Sequence, residues 1–391
     1  MTEKQLLYFD NAATTALHPK ALEAMIPFMT EQYGNPSAVY SFARNARKAI
    51  EQSREQVAAA IGAQAAEIFF TSSGTEANNW AIRGVVEKQR NKGGHIITSA
   101  VEHHAVTHVC EAFVSQEVEV TYLPVDAEGF VSPEDLKAAI RPDTILVSIM
   151  WANNEIGTVQ PIEELAAIAK EHGILFHTDA VQVVGHMPVD LSKVPVDLLT
   201  MSAHKFSGPK GVGALYIRKG TKISPFIYGG GQEKKRRAGT ENVAGIIGMA
   251  EALRIAVENL PSDQERTTAM RDYLIKRIEE SIPKVTLNGP RGKDNRLPGN
   301  VNFSFDYIEG ESLLLLLDMK GCCASSGSAC SSASLEPSHV LMALGVPHEK
   351  AHGSIRFSIG RENTYEDIDK LMEFLPKQVA QLRAMSPLAE E

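Results

Sequence analysis

Lys205, Asp179 and His103 each stand within a few residues of a short run of β-branched or apolar residues, the pattern of a buried strand that ends in a polar turn. The chemistry open to each is distinct. Lysine carries an amine that forms a Schiff base with a carbonyl compound, a buried aspartate favours a positive charge beside it, and histidine offers a flat face and a titratable nitrogen. Behind another such run lies Thr71-Ser-Ser-Gly-Thr-Glu-Ala-Asn78, a small hydroxyl-rich turn that opens a helix-like segment. Backbone N–H groups and hydroxyls at a helix N-terminus hold anions. Further runs are followed by Glu102-His103-His104, by Asn153-Asn154-Glu155, by Asp179 with Gln182, and by Ser202-Ala203-His204-Lys205 with a glycine-rich stretch to Gly213. Taken singly, each has an ordinary reading: a small turn caps a helix, an aspartate turns the chain, a lysine is solvated.

Bringing these groups together requires an alternation of strands and helices. Runs at 68–70, 96–98, 118–123, 144–150, 174–177, 196–200 and 212–217 predict strands, and segments 75–89, 104–115, 132–139 and 162–172 predict helices. Ser132-Pro133 supplies an N-cap with proline at the first helical position, and Gly173 follows the last turn of the 162–172 segment. The alternation predicts an α/β fold whose mainly parallel sheet is covered on both faces, with ligands bound beyond the carboxyl ends of its strands. After about residue 260 the elements segregate: a helix at 265–281, a strand at 300–305 and a helix at 365–384. That predicts a large domain over 15–260 and a smaller α+β domain built from 1–14 and 261–391, with a cysteine-bearing loop at about 321–335.

The chain has 391 residues, 43% hydrophobic and 22% charged, which is ordinary globular usage and leaves room for two domains. Thirty-nine basic against forty-eight acidic residues give a net charge of -9, which argues against nucleic-acid and anionic-membrane binding. Four cysteines make no disulfide framework and suit a reducing cytosol. The opening MTEKQLLYFDNAATT lacks a secretory pattern, and apolar runs such as 313–317 fall far short of a membrane span of about 20 residues. A soluble, cytoplasmic protein is the expectation.

On one sheet edge the singled-out groups would supply a phosphate cradle, a carboxylate, an imidazole, an amide and an amine. Those are the groups pyridoxal phosphate needs: a lysine for the Schiff base, an aspartate to keep the pyridine nitrogen protonated, and donors at a helix N-terminus for the phosphate. Ten motifs carry the matter further. They are Tyr8-Phe-Asp-Asn-Ala-Ala-Thr-Thr15, Gly34-Asn-Pro-Ser37, Thr71-Ser-Ser-Gly-Thr-Glu76, Glu102-His103, Asn153-Asn-Glu-Ile-Gly157 and His177-Thr-Asp-Ala-Val-Gln182. Ser202-Ala-His-Lys-Phe-Ser-Gly-Pro-Lys-Gly211, Arg237-Ala-Gly-Thr-Glu241, Ser325-Ser-Gly-Ser-Ala-Cys330 and Ile355-Arg-Phe-Ser358 complete them. In this order and over nearly the whole chain, they resemble the cysteine desulfurases, the NifS/IscS-like branch of the fold-type-I, class V aminotransferase family of pyridoxal-phosphate-dependent transferases. One departure is Ala38-Val39-Tyr40, where the family usually continues Gly-Asn-Pro-Ser with serine and histidine.

The resemblance implies a role for each matched residue. Lys205 would carry pyridoxal 5'-phosphate, Asp179 would pair with its pyridine nitrogen, Gln182 would bond its phenolic oxygen and His103 would stack on its ring. Gly74, Thr75, Ser202 and His204 would bind the phosphate, with Thr240 reaching in from the partner of a homodimer. Asn154 would contact the cofactor near the substrate, and Arg356 with Asn35 would clamp the carboxylate of L-cysteine, a task that suits a guanidinium fork. Lys205 and His103 would move protons, and Cys330 would take the sulfur as a persulfide, leaving L-alanine. An acceptor protein, such as an iron–sulfur scaffold or one serving tRNA or cofactor thiolation, would then receive it. The surroundings of Cys330, SSGSACSSAS, read as a mobile loop, since a packed element would carry larger apolar groups.

Other functions are weaker readings. A class V aminotransferase or a selenocysteine lyase would keep the cofactor, but transamination has no use for Cys330. A sulfur carrier that kept only the fold would not need Lys205, Asp179 and Arg356. Cys322, Cys323 and Cys330 lack the paired spacing of a zinc site, so no metal is expected. Cys322 and Cys323 read as a strand end, Cys110 as core, and His104 with His108 as a solvated helix face. Glu233-Lys-Lys-Arg-Arg237 reads as solvated charge or as help with the cofactor phosphate, and no G-x4-G-K-[ST] pattern marks a nucleotide site.

Overall fold

A computed structural model describes residues 6–326 and 336–387 of the chain. In chain order its strands are β1 (Leu7–Tyr8), β2 (Ile68–Thr71), β3 (His95–Ser99), β4 (Glu119–Leu123), β5 (Thr144–Ser148), β6 (Leu175–Asp179), β7 (Leu198–Ser202) and β8 (Gly213–Ile217). There follow β9 (Val285–Leu287), β10 (Asn300–Phe305), β11 (Cys322–Cys323), β12 (Ser325–Ser326) and β13 (Ser354–Ser358). Strands β2 to β8 form one sheet in the order β2-β8-β7-β6-β5-β3-β4. All its pairings are parallel except those of β8, which runs antiparallel to both β2 and β7. The fold is thus α/β with a mainly parallel sheet, as the alternation predicts.

Strands β3, β5, β7 and β8 are buried along their whole length and β6 from Phe176 onward, as expected of a sheet with helices over both faces. The helix Gly74–Gln89 lays Ala77, Trp80, Ala81 and Val85 on one face, where they pack with Phe69, Ile96, Leu146 and Leu198. The helices Ile162–Glu171 and Val243–Glu258 cover the other, with Leu165, Ile168, Met249 and Leu253 packed among Ile97, Val147, Phe176 and Leu199. Of the helices around this sheet, Val243–Glu258, Pro19–Thr30 and Ser41–Ala60 lie outside the segments that the apolar periodicity predicts.

The second sheet has the order β12-β13-β10-β9, and β1 pairs with β11 beside it. Its core is Phe303, Phe305, Ile355 and Phe357, closed over by Leu274 and Ile278 of the helix Leu260–Ser281 and by Ile368, Leu371 and Leu375 of the helix Tyr365–Met385. The helix expected at 265–281 therefore begins earlier; Asn259 ends one helix and caps the next. Cys110 and Cys322 are buried and Cys323 is half-buried. Of the stretch expected as a loop at about 321–335, residues 322–323 and 325–326 are paired strands. Cys330 lies outside the described residues.

Candidate active site

The direction of β2, β7, β6, β5 and β3 carries all their carboxyl ends to one sheet edge. Asp179 is the last residue of β6 and Ser202 the last of β7, with Lys205 three residues on. Asp179 is buried, accepts Asn78 Nδ2–H at 2.6 Å and accepts the Val181 N–H at 2.9 Å. Both bonds go to carboxylate oxygens and fix the orientation of the group. Asn78 sits one helical turn beyond Gly74, and spacing alone gives no sign of this contact. A second turn holds the lysine. Lys205 Nζ donates to the carbonyls of Ala12 and, at 2.9 Å, of Ala13.

The segment 10–15 is accordingly part of the site. Gln182 Nε2 donates to Ala12 O at 3.0 Å, Thr15 Oγ1 donates to His204 O at 2.9 Å, and the His204 ring lies 3.2 Å from Thr14 Oγ1. Tyr8 Oη donates to Thr14 O at 2.9 Å and so fixes the turn itself. Burial, reinforced by Lys205 and Lys210, lowers the His204 pKa to about 4, which keeps that ring neutral and able to accept or donate one bond.

At the next strand end, His103 is the N-cap of the helix His104–Val114 and its Nδ1 accepts the Ala105 N–H at 3.0 Å. That bond fixes the ring and places the proton of the neutral form on Nε2. Burial lowers the pKa of His103, with Asp179 opposing the shift. Behind it Glu102 is fully buried, accepting Ser99 Oγ–H at 2.6 Å and the Met150 N–H at 2.8 Å; desolvation raises its pKa to about 8. His104, expected on a solvated face, instead packs against His339 at 4.9 Å between ring centres, while His108 is exposed.

The turn after β2 fits an anion. Ser73 caps the helix by accepting the Glu76 N–H, and the first N–H groups, of Gly74 and Thr75, have no intrahelical acceptor. At Gly74 a Cβ would lie 2.8 Å from Val181 Cγ2 and 3.4 Å from Ser202 Cβ, so the cradle between β2, β6 and β7 admits only glycine there. A ring carrying one anionic arm, a basic nitrogen and an electrophilic carbonyl matches this donor set: helix N–H groups for the anion, Asp179 for the nitrogen and Lys205 for the carbonyl.

Arg356 projects from β13, with a side chain only 3% exposed. Its Nη1 donates to Asn154 O and its Nη2 to Asp10 Oδ1, each at 2.9 Å, while Nε is buried with no partner among the described residues. Its proximity to Asp10, 346 residues away in sequence, comes from the segment just after β1, where Asp10 forms a parallel bridge with Ser358 at the end of β13. Glu155, buried beside Arg356, accepts Ser338 Oγ–H, and burial raises its pKa to about 7. Asn35 lies on an exposed turn where its Oδ1 accepts the Ser37 N–H; no hydrogen bond links it to Arg356 among the described residues. Thr240 is also exposed, at the end of a segment tied down by Arg237.

The charge run at 233–237 departs from the solvated reading at both ends. Glu233 is buried in a pair with Arg54, and Arg237 is paired with Glu76. In neither case did the sequence give a sign, because the partners lie about 160 to 180 residues away.

Against known proteins, the Aminotransferase class-V family matches residues 7–371. "Cysteine desulfurase IscS" of Dictyoglomus turgidum is 58% identical over 388 residues, 99% of this chain and 98% of its own. The protein of the same name from Methanosarcina thermophila is 56% identical over 99% of this chain and 95% of its own. Among solved structures, a "NIFS-like protein" superposes with a TM-score of 0.91 at 40% identity, covering 97% of this chain and 100% of that one. A NifS-like protein from Rickettsia africae gives 0.86 at 32%, covering 96% and 100%. The chain therefore belongs to the class-V aminotransferase family and, within it, to the cysteine desulfurases.

Proposed function

We propose that the protein takes the sulfur from L-cysteine with pyridoxal 5'-phosphate carried on Lys205, forms a persulfide on Cys330 and yields L-alanine. The observation that carries this reading is the meeting of Lys205, Asp179 and the Gly74–Thr75 helix end at one sheet edge, in a chain of the cysteine desulfurase family. When bound, the cofactor supplies an electron sink for the bonds of the substrate's α-carbon.

The chain's own residues do the rest. Gly74, Thr75, Ser202 and His204 hold the phosphate, and Asp179, kept in place by Asn78, holds the pyridine nitrogen in its charged form. Gln182 bonds the phenolic oxygen, His103 lies against the ring, and Asn154 faces the cofactor near the substrate. Arg356, with Asn35, clamps the substrate carboxylate. Lys205 Nζ removes the α-proton, and His103 Nε2 moves a proton near the sulfur. The Cys330 thiolate, the nucleophilic form, attacks the substrate sulfur as the Cβ–S bond breaks; the carbon keeps that bond's electron pair and takes a proton to become the methyl group of L-alanine.

The same reading divides the chain into a large domain over 15–260 and a small one from 1–14 and 261–391. It makes the protein a homodimer in which Thr240 completes the neighbour's phosphate site. Exposed apolar residues support the dimer: Ile26 and Met29 on the helix Pro19–Thr30, Val39 and Phe42 after it, and Tyr228 ahead of Thr240. Among the described residues no helix is long and apolar enough to cross a membrane. We place the protein in the cytoplasm, passing its sulfur to an acceptor protein for iron–sulfur clusters or for thiolation of cofactors and tRNA.

The test uses purified protein supplied with the vitamer. Borohydride treatment should fix a pyridoxyl group on Lys205, read by peptide mass, and L-cysteine with reductant should give equal sulfide and alanine. A colourless protein with Lys205 unmodified would overturn the reading.

A further inference from the structure

We propose that two ion pairs, Arg54–Glu233 and Glu76–Arg237, are positioning residues that lock the phosphate turn of one subunit to the Thr240 segment it lends to the other, so that each brace serves two cofactor sites. This rests on the reading of Thr71–Asn78 and Thr240 given above. The segment ahead of Thr240 is strained. Glu233, Lys234 and Lys235 have φ of 44°, 57° and 64°, three successive non-glycine residues in the left-handed region. Such a run persists only where its surroundings over-determine it.

The determinants are visible. Glu233 receives two bonds from Arg54, Nη1 to Oε2 at 2.7 Å and Nη2 to Oε1 at 2.9 Å, and both side chains are no more than 5% exposed. The pair also closes an edge of the large sheet. Arg54 Nη1 donates to Ile68 O at 2.8 Å, and Glu233 Oε2 accepts the Phe70 N–H at 3.0 Å. Because β2 is an edge strand, the guanidinium and the carboxylate stand where a neighbouring strand's N–H and C=O would be.

One residue beyond Phe70, β2 ends and the phosphate turn begins. There the second pair takes hold: Arg237 Nε donates to Glu76 Oε1 at 2.7 Å and Nη2 to Oε2 at 3.0 Å. Glu76 also accepts the Ser72 N–H at 3.0 Å. One segment thus grips the strand that enters the phosphate turn and the helix that leaves it, and Thr240 lies three residues beyond the second grip. Arg237 also cancels the Glu76 carboxylate, which would otherwise oppose an anion at that helix end.

Mixed dimers separate the two sites. In one, a wild-type subunit pairs with a subunit carrying Lys205→Ala and Arg237→Ala. Only the wild-type subunit can link the cofactor, and its own turn is braced, whereas the Thr240 segment it receives is not. Its affinity for pyridoxal phosphate should fall about 5- to 150-fold relative to a wild-type/Lys205→Ala dimer. The reciprocal dimer, Arg237→Ala in the subunit that keeps Lys205, should lose affinity as well. Arg54→Met with Glu233→Met, which keeps the buried volume, should act in the same direction. Arg237→Lys should recover part of the loss.

A control dimer with Lys205→Ala and Thr240→Val in one subunit distinguishes two failures. If Thr240→Val weakens binding and Arg237→Ala does not, the brace is refuted and the reading of Thr240 stands. If neither does, both fall. A lowered unfolding temperature with unchanged cofactor affinity also refutes the brace.

Discussion

Replacing Arg356 by lysine tests the proposed part of the guanidinium shape in substrate capture. The charge stays, but the fork is lost. Arg356 is buried, spends Nη1 on Asn154 O and Nη2 on Asp10 Oδ1, and keeps a buried Nε without a partner among the described residues. An incoming carboxylate can take the planar edge formed by Nε and Nη2, whereas an ammonium offers one point of contact and cannot also keep both anchors. Losing one bond to a charged group costs about 1.5–3 kcal/mol, and about 1.4 kcal/mol is tenfold, so kcat/KM for L-cysteine should fall by about 10- to 150-fold. Lys205, Asp179 and the phosphate turn are untouched, so cofactor loading should equal that of the wild type. The assay is alanine release over a range of cysteine concentrations, with loading read from absorbance. A kcat/KM within threefold of wild type at full loading would refute the reasoning, as would a loss of cofactor in proportion to activity.

Other residues give sharper individual tests. Cys330→Ser should bind cofactor and cysteine yet form no persulfide, as read by mass spectrometry after thiol blocking; full alanine turnover would remove Cys330 from the reaction. Asn78→Leu removes the 2.6 Å bond to Asp179 and should cost about 1.5–3 kcal/mol of stability together with faster cofactor loss, and an unchanged off-rate would contradict the assigned support. Glu102 tests the electrostatics. Its pKa is raised to about 8 by burial, so between about pH 4.5 and 8 the folded chain keeps a proton that the unfolded chain releases. The stabilisation from that proton is full below pH 4.5 and is lost as pH rises through 8, with a slope of at most about 1.4 kcal/mol per pH unit. Denaturant unfolding at pH 5 and pH 8 should show a smaller difference for Glu102→Gln than for wild type.

Much of the large sheet was legible because fully buried strands are continuous apolar runs and polar residues mark where each one ends. Strand direction was not legible. β8 reads the same as its neighbours, yet it runs the other way, since a strand buried on both faces carries no directional pattern. The helix Pro19–Thr30 was missed because Pro27 lies inside it and because Ile26 and Met29 face outward, which blurs the periodicity. In Ser41–Ala60 much of the buried face is alanine, too small to register as a stripe. The positions of Lys205, Asp179 and His103 could be read from the strand ends. The contacts of Asp10, Asn78, Ala12 and Ala13 could not, because they depend on segments up to 346 residues apart meeting through tertiary packing. Resemblance supplied the motif around residues 8–15, but nothing in it says that its carbonyls hold the lysine.

The reversed strand has a consequence for how the chain tolerates change. Lys205 lies on a ten-residue link whose two ends, Ser202 and Gly213, face each other in register, and Gly213 has Met201 O and a Ser73 backbone atom within 2.8 Å of any added Cβ. The Lys205 amine thus stands on a bracket bolted at both feet, with no slack to absorb a misplaced residue. Lengthening that bracket by one residue would swing the amine off its target while leaving the sheet around it intact. Tags, fusions or circular permutation are best placed elsewhere, at exposed turns such as the one near Gly292.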